Sequence, residues 1–257
     1  MDALDRRAIA ARLGLPAVGV EVAARCDSTN ARLLARAFHD ERAVLLAAEE
    51  QTAGRGRRGR RWRSAPGAGA TFSILRRMRC APAALAGVSL AVGVAAVRAL
   101  RALGACSVAL KWPNDLLAGE AKLGGILVET RLQGREIAAV VGIGINCRAA
   151  PALGARRVAS LDEILQPAIA RNALIGAVAR EVLAALAAFE REGLAAFAAE
   201  WTALHAHEGR RLRLRLADGR LVSGVATGLA RDGALRLRTR SGVREIPGAR
   251  VVAARAA

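Results

Sequence analysis

Lys111 and Lys122 are the only lysines in this chain; every other one of its 40 basic side chains is arginine. Lysine is a compact point charge on a flexible stem, and burial shifts its pKa readily. Both lysines stand among other chemically loaded residues, in Lys111-Trp-Pro-Asn-Asp115 and Lys122-Leu-Gly-Gly-Ile-Leu-Val-Glu129. Proline stiffens a turn after a short strand, so Asn114 and Asp115 are presented at that strand's end. Lys122 stands at a strand entrance, with two glycines leaving room beside it. A third segment, Gly54-Arg-Gly-Arg-Arg-Gly-Arg60 followed by Arg61 and Trp62, mixes glycine with forked donors suited to carboxylate and phosphate. Its charge and glycine content predict a loop that is disordered when empty and ordered by an anion. It is not a Walker A loop, because G-x-x-x-x-G-K-[ST] is absent. A fourth segment, Gly142-Ile-Gly-Ile-Asn-Cys147, reads as a strand whose glycines admit a ligand or another backbone, the floor of an apolar slot.

The elements that position these segments follow from periodicity and punctuation. A short helix over Asp5–Leu13 stops at Gly14 and Pro16. Val18–Ala23 reads as a strand, Asp27-Ser28 as an N-cap, and a helix continues to about Ala37. Strands follow at Ala43–Glu49 and Thr71–Arg76. A helix runs from Pro82, where a first turn tolerates proline, to about Leu103. Val108–Lys111 is a short strand, and Gly125–Thr130 pairs with Ile137–Asn146 across a turn near Gln133-Gly134. Helix begins again at Leu161. Asn172–Arg191 is a long amphipathic helix, broken at Gly193 and resumed to about Leu204. Beyond residue 206 the texture changes. Arg211-Leu-Arg-Leu-Arg-Leu216 alternates with period two, Asp218-Gly219 is a hairpin signal, and strands follow at Leu221–Thr227, Leu235–Thr239 and Val243–Ile246. The expectation is a unit at 1–206 and a small β-barrel at 207–257 packed against it.

Composition narrows the function. The charge of +18 invites a nucleic-acid reading, but the arginines are spread along the whole length and aromatics are only 3%, with no Tyr to stack on bases. No apolar run reaches the roughly 20 residues of a membrane span; Ala81–Val97 is read as a buried helix. The four cysteines form no C-x-x-C pair, so they read as reduced, mostly buried thiols of a cytoplasmic protein. The three histidines read as ordinary surface residues, and no metal site is expected.

Together with Cys26-Asp-Ser-Thr-Asn30 and Gln51, the four segments resemble the biotin–protein ligase family in order, type and approximate spacing, from about residue 18 to about residue 240. The resemblance is to the monofunctional type that lacks an N-terminal DNA-binding domain. It implies an α+β fold: a mixed β-sheet flanked by helices, class II synthetase-like, with a small C-terminal SH3-like β-barrel. It also implies two-step acyl transfer. Biotin and ATP with Mg2+ form biotinyl-5'-AMP, and a lysine of the biotin carboxyl carrier protein of acetyl-CoA carboxylase attacks that mixed anhydride.

By the same resemblance, Ser28, Thr29, Asn30 and Gln51 meet the polar ring of biotin. Arg55, Gly56 and Arg57 close over the adenylate, and Lys122 contacts the reacting carboxylate and phosphate. Arg58, Trp62, Lys111, Asn114 and Asn146 add to the nucleotide site, and Asp115 orients or deprotonates the acceptor lysine. The physical logic agrees. A carboxylate attacking the α-phosphorus brings two anions together, and fixed cations aimed there stabilise the transition state preferentially. A loop that shuts also keeps water from the anhydride.

Two departures shape the expectations. The motifs begin at residue 27, so no operator-specific DNA binding is expected. Gly248-Ala-Arg-Val-Val-Ala-Ala-Arg255 matches only loosely the run that ends many relatives, which puts a nucleotide role for Arg255 in doubt. The nearest rival is a lipoate or octanoyl ligase of related fold; the rival from another class is an arginine-rich nucleic-acid-binding protein. An exposed sheet edge would pair with an acceptor domain or with a second copy in a homodimer.

Overall fold

The computed structural model describes residues 2–63, 65–80, 82–148 and 158–256. Caps define the first elements. Asp5 accepts from Ala8 N, and Gly14 at φ 65° ends the helix, so α1 is Arg6–Leu13. After β1 (Gly19–Cys26), Ser28 caps α2 (Thr29–Ala35) by accepting from Ala31 N. Then come β2 (Val44–Gln51) and β3 (Gly69–Met78). The helix expected to run from Pro82 is interrupted: a short 3-10 turn at Pro82–Leu85 ends before Gly87, and α3 is Val88–Ala102. Gly87 sits at φ 88°, with a Cβ there only 2.7 Å from Leu194, so the chain changes direction where only glycine fits.

Next are β4 (Val108–Lys111), β5 (Asp115–Ala118), β6 (Ala121–Gln133) and β7 (Glu136–Asn146). Sequence reasoning passed over β5, four residues with no β-branched side chain. The helices α4 (Leu161–Ile164), α5 (Arg171–Glu192) and α6 (Ala195–Leu204) complete the first unit. The strands β8 (Arg211–Leu216), β9 (Leu221–Leu229), β10 (Leu235–Thr239), β11 (Gly242–Ile246) and β12 (Ala249–Arg255) form the second. The alanine-rich β12 was also missed.

Seven strands form one mixed sheet in the order β1-β2-β3-β7-β6-β5-β4; β1 and β2 are parallel and the other neighbours antiparallel. Alternation along β2 decides its faces. Leu45 and Ala47 join the core shared with α3 and α5, while Val44 and Leu46 pack with Leu33 of α2 on the other side. Helix α3 is buried nearly throughout. Helix α5 is the one described helix long and apolar enough to cross a membrane, and 61% of its apolar stretch is buried inside the fold.

The second sheet is antiparallel, β11-β10-β9-β8-β12, with register shifts in β10 and β12 that sharpen its twist. Leu212 and Leu214 point inward and Arg211, Arg213 and Arg215 outward, as the period-two pattern requires. Its core is continuous with that of the first sheet. Trp112 Nε1 donates to Gly233 O at 3.2 Å and Ala206 N to Leu110 O at 2.8 Å across the join.

The histidine expectation fails at this join. His205 and His207 are 5% and 2% exposed, and His205 lies 4.5 Å from Trp201, ring centroid to ring centroid. Two of the cysteines, Cys26 and Cys147, are buried as expected, but Cys80 is half-buried and Cys106 exposed; all four are free thiols.

Candidate functional site

A cavity of about 570 Å³ lies against β3, β6 and β7, between the N-terminus of α2 and the arginine-rich segment. Local structure explains how that segment gets there. The backbone bonds Thr52 N to Cys26 O (2.9 Å) and Ala53 N to Asp27 O (2.8 Å) extend the β1–β2 pairing past Gln51. The chain then doubles back as a hairpin. Arg55 bridges Arg61, Gly56 N donates to Arg60 O at 2.7 Å, and Trp62 N donates to Gly54 O at 2.9 Å. At the tip Arg58 and Gly59 both have positive φ, 57° and 69°, the paired left-handed residues of a tight hairpin turn. The segment expected to order around an anion has the form of a small hairpin, and glycine at these positions lets its two sides pair.

Of the residues singled out from the sequence, Ser28, Thr29, Asn30, Gln51, Arg55, Gly56, Arg57, Trp62, Asn114, Asp115, Lys122 and Asn146 all line this cavity. Arg58 and Lys111 do not. The left-handed turn leaves Arg58 exposed, with one guanidinium nitrogen 3.8 Å from where a Cβ on Gly248 of the second unit would stand. Lys111 is on the edge strand β4, with β5 between it and β6, and its charge acts on Glu120 and His207 instead.

One end of the cavity is a chain of hydrogen bonds. Thr29 N donates to Gln51 Oε1 at 2.7 Å, and Thr29 Oγ1 lies 3.1 Å from the same atom and 2.7 Å from Ser73 Oγ. Ser73 Oγ donates to Asn30 Oδ1 at 2.5 Å. Asn30 Nδ2 donates to Leu127 O at 3.2 Å and to Glu129 Oε2 at 2.9 Å, and Arg55 meets the same carboxylate at 3.1 Å. Gly142 makes this possible: a Cβ there would stand 2.2 Å from Asn30 Oδ1. Ser73 and Glu129 were not singled out. Each had a faint signal: Ser73 lies between Phe72 and Ile74-Leu75, and Glu129 follows Ile126-Leu-Val128.

The other end is cationic. Arg55, Arg57, Arg60, Arg61, Arg63 and Lys122 face one lining acid, Asp115, which Lys122 Nζ contacts directly. Burial, and then the charge of Arg58, push the Arg57 pKa down, while Asp115 pulls it up. The Trp62 indole lies on Gly144, where a Cβ would be 2.3 Å from the ring, and Lys122 Nζ is 5.9 Å from the ring centroid. Gly125 leaves the space expected beside Lys122, a Cβ there standing 3.2 Å from Nζ. Asn114 Nδ2 holds Ile126 O at 2.7 Å, and Asn146 Nδ2 holds Lys122 O at 3.3 Å and Ala159 O at 3.0 Å, so both asparagines fix the backbone around Lys122.

Between the two ends the wall is apolar, with Phe72, Ile126, Leu127 and Ile143. The thiol of the neighbouring Cys147 is pushed up to about 12 by burial, too high for a nucleophile. Two buried polar atoms on the wall, Trp62 Nε1 and Thr71 Oγ1, have no partner among the described residues. The arrangement suits a ligand with a polar head, an apolar middle and an anionic tail, the tail meeting a second anion under the hairpin.

Comparison with known proteins gives the following. The signature of the Biotin/lipoate A/B protein ligase family matches residues 22–146, and that of the Biotin protein ligase C terminal domain matches residues 207–252. The chain is 40% identical to the bifunctional ligase/repressor BirA of Escherichia coli over 220 residues, 82% of this chain and 66% of that protein, so it spans about two thirds of that relative's length. It is 35% identical to the biotin--[acetyl-CoA-carboxylase] ligase of Paracoccus denitrificans, over 89% of this chain and 98% of that one. Among solved structures it is similar to the biotin protein ligase from Aquifex aeolicus in complex with biotin and ATP, with a TM-score of 0.78, 28% identity, and coverage of 93% of this chain and 99% of that one.

Proposed function

The chain belongs to the biotin protein ligase family, and from that premise we propose that it is a biotin–[acetyl-CoA-carboxylase] ligase. It activates biotin with ATP to biotinyl-5'-AMP and passes the biotinyl group to a lysine of a biotin carboxyl carrier protein. The observation that carries this reading is one cavity with a closed polar chain at Thr29–Ser73–Asn30 and the Lys122–Asp115 pair under an arginine hairpin at its opposite end.

The polar end takes the ureido ring through Ser28, Thr29, Asn30 and Gln51. The apolar wall takes the valeryl chain, and the carboxylate reaches Lys122. In the first step that carboxylate attacks the α-phosphorus of ATP and pyrophosphate leaves. Lys122 and Arg57 offset the repulsion between the two anions and the charge that grows on the α-phosphate oxygens. Arg55 and Gly56 cover the adenylate, Trp62 stacks beside it, and Asn114 and Asn146 hold the strands that carry Lys122. Mg2+ held by the nucleotide's own phosphates would supply charge neutralisation on the leaving pyrophosphate. In the second step Asp115 orients the acceptor lysine and takes its proton, and AMP leaves as the amide forms.

The catalytic unit is residues 1–206 and the SH3-like unit residues 207–257; α6 ends at Leu204 and β8 starts at Arg211. The acceptor has a place to dock. Strand β5 pairs with β6 only as far as Gly125, and among the described residues no strand pairs with Val128–Leu132 on that side. Beside this edge runs a groove of about 410 Å³ with Val128, Thr130 and Leu132 in its wall, reaching Arg57. An extended segment of the carrier adds there as a strand; a second copy is the other occupant. The free thiols suit a cytoplasmic site of action.

The test is ATP–pyrophosphate exchange with biotin and lipoate side by side. Exchange that depends on biotin is the expected result. Exchange with lipoate alone would move the assignment to the lipoate branch, and exchange with neither would end it.

A further inference from the structure

We propose that Ser73 and Glu129, neither of which lines the cavity, fix the direction of the hydrogen bonds at its polar end, so that the Thr29 hydroxyl meets a ligand only as an acceptor. The inference rests on the reading of the cavity as a biotin site and names what that site demands: an N–H donor held against Thr29.

The argument is a count of protons. A carboxylate and a carbonyl oxygen only accept, so the end of the Asn30 amide that meets Glu129 Oε2 (2.9 Å) and Leu127 O (3.2 Å) is its NH2 group. The other end is therefore oxygen, and it lies 2.5 Å from Ser73 Oγ. That oxygen has no proton to give, so the one proton of Ser73 goes to it. In the 2.7 Å contact between Ser73 Oγ and Thr29 Oγ1, the donor must then be Thr29.

The second neighbour of the Thr29 hydroxyl is Gln51 Oε1, at 3.1 Å. It too is an acceptor, because the backbone N–H of Thr29 donates to it at 2.7 Å. Both internal neighbours compete for the one proton of Thr29, and the cavity is left facing its lone pairs. The same constraint makes the free end of Gln51 an NH2 group. An acceptor at Thr29 and a donor at Gln51 complement the adjacent N–H and C=O of a cyclic urea. A dithiolane ring or an alkyl chain offers neither. Ser73 is 0% exposed, so no bulk water relaxes the assignment, and Glu129, held by Arg55 at 3.1 Å, anchors its far end.

The experiment titrates the full chain calorimetrically with biotin and with two cyclic carbamate analogues, each having one ring N–H replaced by oxygen. The poorer of the two analogues sets lone pairs against lone pairs at Thr29. In the wild type it binds more weakly than biotin by about a hundredfold, the scale for leaving a buried acceptor without its donor. Glu129→Gln leaves Leu127 O as the one fixed acceptor on the Asn30 NH2 group, so the amide turns over in part, and where it does Ser73 donates to Thr29. Ser73→Ala deletes the nearer acceptor. Each variant leaves Gln51 Oε1, at 3.1 Å, as the one fixed competitor for the Thr29 proton, so that proton can turn to the ligand and the preference for biotin falls to about tenfold or less. Thermal unfolding confirms that each variant is folded. A preference kept at the wild-type value in either variant, or loss of both ligands by a folded variant, overturns the inference. A wild type that does not bind biotin defeats the functional reading itself, and that result is seen before any variant is made.

Discussion

At one end of the cavity Thr29, Asn30 and Ser73 are at most 3% exposed and commit their side-chain groups to one another; at the other, Arg55, Arg60 and Arg61 are exposed and the hairpin is held by a few backbone bonds and the Arg55–Glu129 ion pair. The first end is organised by the fold alone. Its donors and acceptors are assigned before any ligand arrives, so little ordering cost remains at binding. The second end gathers like charges that repel until an anion arrives. An exposed ion pair contributes at most about 1 kcal/mol, too little to fix such a hairpin rigidly. Recognition is thus built into the fixed end, and charge stabilisation into the end that responds to the ligand.

Lys122 stands where the two ends meet, paired with Asp115 and 5.9 Å from the Trp62 ring centroid. Lys122→Ala is expected to cut adenylate formation by about a hundredfold or more, the scale for removing one preorganised transition-state donor. Pyrophosphate exchange measures it, and a rate near that of the wild type would show that the cationic end works without its ammonium group.

Two glycines on β7 offer a sharper contrast. A Cβ at Gly142 falls 2.2 Å from Asn30 Oδ1, in the fixed end; a Cβ at Gly144 falls 2.3 Å from the Trp62 indole, in the hairpin. Asn30 cannot retreat without breaking its bonds to Ser73 and Glu129. Gly142→Ala is therefore expected to weaken biotin binding about thirtyfold, the equivalent of roughly 2 kcal/mol of overpacking. The indole can move away with its hairpin, so Gly144→Ala is expected to cost about threefold in biotin affinity while increasing escape of the adenylate into solution. Titration of both variants decides the matter, and the reverse order of losses would invert the assignment of fixed and responsive ends.

The same contrast explains what was legible in the sequence. Motif residues carry their chemistry in their type, so the arginine-rich segment with Arg57, and Lys122, were visible from type and spacing, Thr29 and Gln51 were reached through the family resemblance, and all four residues converge on the cavity. The strand bearing Leu212 and Leu214 was visible because one buried face imposes alternation, and the strand bearing Leu45 and Ala47 because both its faces are buried and it reads as a continuous apolar run. Ser73 and Glu129 act through other side chains, and that role depends on register, Ser73 opposite Gly142 and Leu127 opposite the same glycine, which no local pattern encodes. Lys111 and Arg58 failed for the complementary reason. Adjacency in sequence to site residues says nothing about an edge strand or a left-handed turn. The buried histidines were hidden because burial of a polar side chain is a property of the join between two sheets, not of residues 205–207.

That join gives the last comparison, because it touches neither end of the cavity. Burial holds the pKa of His205 down against the opposing pull of Glu208. Burial, then the charges of His205, Lys111 and Arg210, lower that of His207 to about 4, with Glu120 opposing. An unfolded histidine titrates near pH 6.5. Between those values the unfolded chain binds more protons than the folded one, so stability is complete above about pH 6.5 and is lost as the pH falls toward 4. For His207 alone the loss by pH 5 is about 2 kcal/mol, which lowers Tm by roughly 4–8 °C in a chain of this size. His207→Gln should flatten that slope. Biotin affinity should change less than twofold from pH 7 to pH 5.5, because the polar end is assigned by Glu129, Asn30 and Ser73 rather than by an imidazole. Thermal unfolding and titration on the same samples test the separation. Affinity falling in step with Tm would mean that the join and the fixed end are one cooperative unit.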